Sequence, residues 1–133
     1  MTHSLAFELS GASRMELGYT IAGNSDFSLS GDSEASGSIE IDDGRFELSG
    51  ASRLDMTGTA RDISIEASGA SNVNLGGLAA ATADVHLSGA SDAVIDVADS
   101  MNVYLSGASE LEYSGSPKLG KIEVSGGSTV TKR

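Results

Sequence analysis

The sequence predicts an all-β protein that folds as a right-handed parallel β-helix (β-solenoid) of about seven coils, with about 19 residues in each coil. Two observations carry this prediction. A tetrapeptide of small residues returns at a nearly constant interval along the chain, and the residues around it alternate between apolar and polar side chains. In addition, no run of ten residues shows apolar side chains at helical spacing.

The repeated tetrapeptide reads SGAS in most copies, SGDS in the second and SGGS in the last. Its first serines are Ser10, Ser30, Ser49, Ser68, Ser88, Ser106 and Ser125. Successive copies are 20, 19, 19, 20, 18 and 19 residues apart, which indicates one structural repeat per copy. We expect each copy to form a corner. The glycine supplies the backbone angles, the alanine fits inside the bend, and the serines hydrogen-bond to nearby backbone and to serines one coil away.

Strands are predicted on both sides of each corner. The positions one and three residues before the tetrapeptide are apolar in every copy, as at Leu48 and Phe46, and the position between them is mostly polar, as at Glu47. Alternation resumes after it, as at Leu54 and Met56. Such alternation is typical of short strands with one buried face. Each repeat therefore supplies two or three short strands separated by corners.

Stacking explains how so short a repeat can bury a face. Coils that lie on one another at the strand spacing of about 4.8 Å bury each apolar column against itself. Right-handed winding follows from the crossover preference of parallel strands. An antiparallel β-sandwich or β-prism is the alternative, although its turns seldom repeat one tetrapeptide at a fixed step.

The 133 residues are predicted to form a single domain, 1–133. Residues 1–6 are predicted to be a tail, 7–45 to form divergent coils and 46–133 to form regular coils. The coils of 7–45 are called divergent because SGDS replaces SGAS there and Gly37 interrupts the apolar column.

The composition excludes several classes of partner. With 8 basic and 19 acidic residues the net charge is −11, which disfavours nucleic acids and anionic membranes. The absence of cysteine excludes disulfides and thiolate metal sites. No segment approaches the roughly 20 apolar residues of a membrane span, and the start MTHSLAFELS lacks the pattern of an export signal. We therefore expect no nucleic-acid binding and no membrane insertion.

One outward column holds the candidate ligand-facing residues Glu66, His86 and Tyr104, each one coil from the next. Tyrosine suits a contact surface because its ring is apolar and its hydroxyl is polar. His86 beside carboxylates could bind a metal weakly, but a solvated surface residue is the simpler interpretation. No metal site, cofactor or catalytic residue is predicted.

Two carboxylate groupings were weighed as sites. Asp42 and Asp43 with Glu40 supply the oxygen ligands that Ca²⁺ prefers, but a charged turn is the simpler interpretation. Glu47 and Glu66 are expected to stack as like charges, and paired carboxylates suggest a glycosidase. A glycosidase needs a cleft, however, and repeats that vary by only two residues leave no long insert to wall one.

Charge alternation provides a test of the register. Arg14, Glu34 and Arg53 follow the tetrapeptide directly in the first three copies. Stacked coils would place them in one column of alternating sign. We expect an exposed ion-pair ladder, in which each pair contributes about 0–1 kcal/mol.

The serial SGAS copies and the closing segment LEYSGSPKLGKIEVSGGSTVTKR resemble a known family. From Phe46 to Arg133 the chain looks like the family called putative auto-transporter adhesin, head GIN domain, and the first 45 residues match less well. The resemblance implies an extracytoplasmic β-helical domain of the bacterial envelope, on the cell surface, in the periplasm or secreted. It brings no catalytic residues with it.

The expected function is that of a non-catalytic structural or binding module, which presents flat β-helix faces to a surface protein or glycan. Two alternatives stay open. One is a carbohydrate-acting β-helix enzyme, and the other is an oligomerisation element of a larger envelope protein.

The ends of a solenoid expose unpaired strand edges, so a homo-oligomer through the ends is also expected. The N-terminal end is predicted to meet another subunit or a further part of a longer protein. At the other end Lys118, Lys121, Lys132 and Arg133 concentrate positive charge. This polarity favours head-to-tail contact, whereas protection of the edge by lysine is the simpler interpretation.

Overall fold

The computed structural model describes residues 4–21, 23–115 and 118–132. These residues form ten strands in one continuous sheet and no helix. The strands are β1 (Ser4–Leu9), β2 (Arg14–Ile21), β3 (Asn24–Leu29), β4 (Glu34–Leu48), β5 (Arg53–Ala67), β6 (Asn72–Leu87), β7 (Asp92–Leu105), β8 (Glu110–Ser114), β9 (Lys118–Val124) and β10 (Thr129–Lys132). His3, Pro117 and Arg133 lie outside the described residues.

Every strand pairing is parallel and joins positions about one repeat apart. Phe46 pairs with Ile65, Ile65 with Val85 and Val85 with Val103. This register confirms the β-solenoid and rules out the antiparallel alternative. The seven tetrapeptides form seven corners, so about six full turns lie between the first and the last. The right-handed winding stays a prediction.

The long strands differ from the predicted short ones. β4 to β7 contain 14 to 16 residues each and run through both strand segments of a repeat. The alternation of buried residues slips by one position between Ala60 and Ile63, and again between Ala80 and Ala83. The chain therefore bends at these points, where Arg61 and Ala81 fall outside the paired register, and the tetrapeptide corners separate each of β4 to β7 from the next strand.

Each corner lies directly on the corner of the preceding coil. The seven corner glycines have φ between 67° and 73°, which an L side chain rarely adopts. The N–H of the third corner residue donates to the glycine carbonyl one coil earlier, as from Ala51 to Gly31 at 2.9 Å and from Ala70 to Gly50 at 2.8 Å. The corners thus continue the hydrogen-bond ladder of the strands.

The buried residue of the corner is the second serine, not the alanine. Ser52, Ser71, Ser91 and Ser109 have 0% of their surface exposed, whereas the corner alanines are exposed. The serine hydroxyl donates to the carbonyl of the first serine in the same corner, at 2.8 Å from Ser71 to Ser68. The expectation that alanine fits inside the bend was wrong, because the inner position needs a donor for that carbonyl. The expected link between serines of adjacent coils occurs at the last corner, where the Ser109 N–H donates to the Ser128 hydroxyl.

The core is a set of apolar columns parallel to the axis. At the N-terminal end one column is aromatic: Phe7, Phe27 and Phe46 stack with ring centroids 5.1 and 5.2 Å apart. Smaller residues, Ile65 and Val85, continue this column.

The two ends of the solenoid remain open among the described residues. The first strand begins at Ser4 and pairs with β3 from that residue, so residues 4–6 belong to the solenoid and not to the predicted tail. At the opposite end every residue of β9 is exposed, including Leu119, Ile122 and Val124 at 45, 38 and 44%.

Candidate binding groove

The predicted outward column is present on the face that precedes the corners. Glu47 pairs with Glu66, Glu66 with His86 and His86 with Tyr104. We call this set the mixed column; it consists of Ser28, Glu47, Glu66, His86, Tyr104 and Glu123. From Ser28 to Tyr104 it occupies alternate positions of strands whose intervening residues are buried, so its side chains point to solvent.

His86 and Tyr104 form an aromatic pair in the mixed column. Their ring centroids are 4.6 Å apart and their planes are inclined by 17°. The stacking follows from the parallel register, which places equivalent side chains at the strand spacing. The His86 ring is exposed and the Tyr104 ring is partly buried, so the pair forms an aromatic surface on this face.

Arg45 neutralises the like-charged pair that the sequence predicts. Its guanidinium lies 2.8 Å from the Glu47 carboxylate and 3.7 Å from that of Glu66. Glu47 and Glu66 are paired neighbours, as expected. The repulsion between them is offset by a cation two residues before Glu47 on the same face of the strand.

A groove runs along the axis between the mixed column and the corners. It has a volume of about 980 Å³ and crosses the coils from Ser28 to Glu123. Its second wall is formed by the first serine of successive corners, the serine wall: Ser49, Ser68, Ser88, Ser106 and Ser125. At several coils the hydroxyl is tied to the preceding coil, as from Ser125 to the Leu105 carbonyl at 3.2 Å. These hydroxyls keep lone pairs that can accept a hydrogen bond from a ligand.

The structure thus brings all three predicted residues, Glu66, His86 and Tyr104, into the lining of one groove. Their contact with a ligand stays a prediction. Among the described residues no three histidine or carboxylate side chains lie close enough together to hold a metal ion. Glu40, Asp42 and Asp43 therefore do not form a metal site. The backbone N–H groups of Asp42 and Asp43 donate to the Gly23 carbonyl, which fixes the bend there.

A second groove, of about 810 Å³, was missed by sequence reasoning. It lies on the same face at the other end of the strand segments, and Asp43, Asp62 and Asp84 contribute to its lining. Hydrogen bonds between coils satisfy much of its polar lining: Thr82 donates to Asp62, and Asn102 donates to Asp84 at 2.9 Å. Period-two alternation identifies these positions as outward but cannot indicate that they bond to one another.

The predicted charge ladder is present in part. Arg14 and Glu34 are paired in register, and their side chains form an ion pair at 3.3 Å. Glu34 is also in register with Arg53, but no ion pair links these two in the described structure. The register is confirmed, and the ladder is limited to its first step.

Tyr19 and Glu40 form a further contact between adjacent coils. The Tyr19 hydroxyl donates to the Glu40 carboxylate. This hydrogen bond, together with slight desolvation and the nearby negative charge, raises the pKa of Tyr19 above its usual value. This contact is not predictable from the repeat spacing, because the register shifts by one residue between Leu17 and Tyr19.

None of the described residues belongs to a helix long and apolar enough to cross a membrane. Searches of curated proteins and of solved structures returned no significant match.

Residues 2–117 match the family described as putative auto-transporter adhesin, head GIN domain. The matched region includes residues 2–45, which resemble the family less well than the rest of the chain, and it ends within the closing segment. Since the match covers most of the chain, the protein belongs to the putative auto-transporter adhesin, head GIN domain family.

Proposed function

We propose that this domain is a non-catalytic, extracytoplasmic binding module that holds a surface glycan in the groove between the mixed column and the serine wall. The observation that carries the proposal is the stacked His86–Tyr104 pair, which places two aromatic rings in a groove lined by carboxylates, hydroxyls and the apolar column between them. The family name, which describes an adhesin head, supports the same class of function.

The chemistry of the lining favours a ligand rich in hydroxyl groups. Carboxylates of Glu66 and Glu123 accept hydrogen bonds, and the Tyr104 hydroxyl both donates and accepts them. The serine wall adds similar groups at each coil. A linear polymer whose units repeat at a spacing close to the coil separation of about 4.8 Å could meet equivalent groups at successive coils.

The paired strands make this surface rigid in the absence of a ligand. The mixed column stands on parallel strands that pair with neighbours on both sides from Glu47 to Tyr104. Little backbone entropy is then lost when a ligand binds. A flat, rigid, repetitive face of this kind suits recognition of a repetitive partner.

A glycan array with the purified chain tests the proposal. We expect binding to one class of linear glycan and a loss of about tenfold or more in affinity for Tyr104→Ala and His86→Ala, since central aromatic contacts often contribute more than 1 kcal/mol. Thr59→Ala is the matched control, because Thr59 is exposed on a different part of the coil.

Three results would contradict the proposal. Equal binding by Tyr104→Ala and the wild type would remove the groove from recognition. Binding only to proteins and to no glycan would overturn the ligand class. Cleavage of the bound glycan, seen as new reducing ends, would replace the proposal by the alternative of a carbohydrate-acting enzyme.

A further inference from the structure

The same apolar columns reach both ends of the solenoid. At the C-terminal end the exposed residues Ile122 and Val124 and the partly buried Val130 continue columns that are buried in the middle of the rod. At the N-terminal end the same columns begin with Phe7, Leu9 and Met15, which are only partly buried. Each end therefore has an apolar surface that is only partly covered, and the same three columns occur in the same positions at both ends.

The backbone groups of the two ends are complementary. In each inner corner three N–H groups donate to the preceding coil, as from Ser30 to Leu9, Asp32 to Gly11 and Glu34 to Ser13, at 2.8 to 2.9 Å. By this pattern the N–H groups of Ser10, Ala12 and Arg14 point to a coil in front of the first. Likewise the carbonyls of Val124, Gly126 and Ser128 point to a coil behind the last. The free N–H groups at the N-terminal end of one copy could therefore donate to the carbonyls at the C-terminal end of another copy.

The charges of the two ends are opposite in sign. The first coil, residues 4–23, contains two carboxylates, Glu8 and Glu16, and one arginine, Arg14. Residues 118–132 contain three lysines, Lys118, Lys121 and Lys132, and one glutamate. Opposite charge favours contact between unlike ends and disfavours contact between two N-terminal ends.

We infer that a second copy of this chain docks head to tail, with β1 of one copy pairing in parallel with β9 of the next. The corner at Ser10–Ser13 then lies on the corner at Ser125–Ser128, and Met15 stacks on Val130. Because the contact joins unlike surfaces and the translation along the axis does not close, association continues into linear chains.

Lysine on an edge strand has another ordinary role, which is to prevent pairing. The two roles predict different behaviour. Edge protection predicts a monomer at every concentration, whereas complementary ends predict association that weakens as salt screens the opposite charges.

Sedimentation of the full chain over a range of concentrations tests the inference at low salt and at about 1 M salt. We expect the average mass to rise beyond that of a dimer with concentration, and to fall on addition of salt. A strict monomer at all concentrations would overturn the inference, as would a stable dimer that does not grow.

Blocked ends make the test specific for head-to-tail contact. Met15→Asp places a carboxylate in the N-terminal layer, and Ile122→Asp does so in the C-terminal layer. Each variant alone is expected to stay monomeric, whereas an equal mixture is expected to form dimers and nothing larger, because one intact end of each kind remains. Self-association of either variant alone would show contact between like ends and overturn the inference.

Controls separate docking from folding. Thr59→Asp adds a carboxylate at mid-rod and is expected to associate like the wild type. If circular dichroism shows that Met15→Asp does not fold, Glu16→Lys provides a blocked N-terminal end through charge alone. It should weaken association at low salt, and an unchanged mass would contradict the inference.

Discussion

Gly69 lies directly on Gly50: a Cβ added to Gly69 would stand 2.6 Å from the Gly50 carbonyl oxygen. Gly69 also has a φ of 73°. The corner thus makes two separate demands on this position, a backbone conformation in the left-handed region and the absence of a side chain. The constant period of the tetrapeptide follows from the need to meet both demands in every coil.

Replacement of Gly69 by alanine is expected to lower the free energy of unfolding by about 2–4 kcal/mol, since left-handed strain and a backbone clash add together. Gly11 is the matched control, because its φ of 68° is similar but no atom lies within 4 Å of its added Cβ. Gly11→Ala should cost only about 1–2 kcal/mol, the strain alone. Urea unfolding measures both, and equal losses would contradict the close stacking of corners.

Ser71→Ala is expected to destabilise the protein by about 1 kcal/mol. Ser71 is fully buried, and its hydroxyl donates to the Ser68 carbonyl at 2.8 Å. Alanine removes this donor and leaves the carbonyl with fewer partners. Thermal unfolding measures the loss, and a variant as stable as the wild type would show that the hydrogen bond does not hold the corner.

Ser25→Ala is expected to have the opposite effect and to raise stability by about 0.5–1 kcal/mol. Ser25 is buried at 4% exposure, and its hydroxyl has no hydrogen-bond partner. It occupies an inward column in which its neighbour is Gly44 and the next residue is Ile63. Replacement of serine by alanine is thus expected to lower stability at Ser71, whose hydroxyl is hydrogen-bonded, and to raise it at Ser25, whose hydroxyl is not. Thermal unfolding measures both variants, and destabilisation by Ser25→Ala would contradict this distinction.

The register of the solenoid was predictable from sequence because it depends on backbone and burial. The spacing of the SGAS copies identified Glu66, His86 and Tyr104 as neighbours, and the ladder confirms that order. The details of polar contacts were not predictable in this way. Which serine of the corner is buried depends on where its carbonyl needs a donor, and alternation marks Arg45 only as outward, not as the bridge between two glutamates.

Arg45→Ala is expected to lower stability by less than about 1 kcal/mol at low salt, because the pair with Glu47 is exposed and screened. The effect should nearly disappear in about 1 M salt. Arg45→Ala combined with Glu66→Gln tests whether repulsion contributes, since removal of one carboxylate should restore part of the loss. Additive effects in this double-mutant cycle would show that Arg45 and Glu66 do not interact.

Tyr19 is expected to titrate above its ordinary pKa of about 10 in the folded protein. Folding favours the protonated phenol, so the contribution of this group to stability is complete below its ordinary pKa and is lost as the pH rises through the raised value. Spectroscopic titration of tyrosine compares the wild type with Glu40→Gln, in which the pKa of Tyr19 should fall back. An unchanged titration would contradict the hydrogen bond between Tyr19 and Glu40.

The uniform corner has a consequence for how such a protein can change in length. Because each coil meets its neighbours through the same backbone bonds, duplication or loss of one complete repeat changes the rod by about 4.8 Å and leaves its cross-section intact. Gains of one or two residues within a repeat are absorbed by register shifts in the strands, as between Leu75 and Ala79, and the corner glycines stay stacked. A longer insertion would have to leave the strand ladder. Such a rod therefore lengthens by whole repeats. This restriction explains why the interval between corner glycines stays at 18 to 20 residues along the sequence.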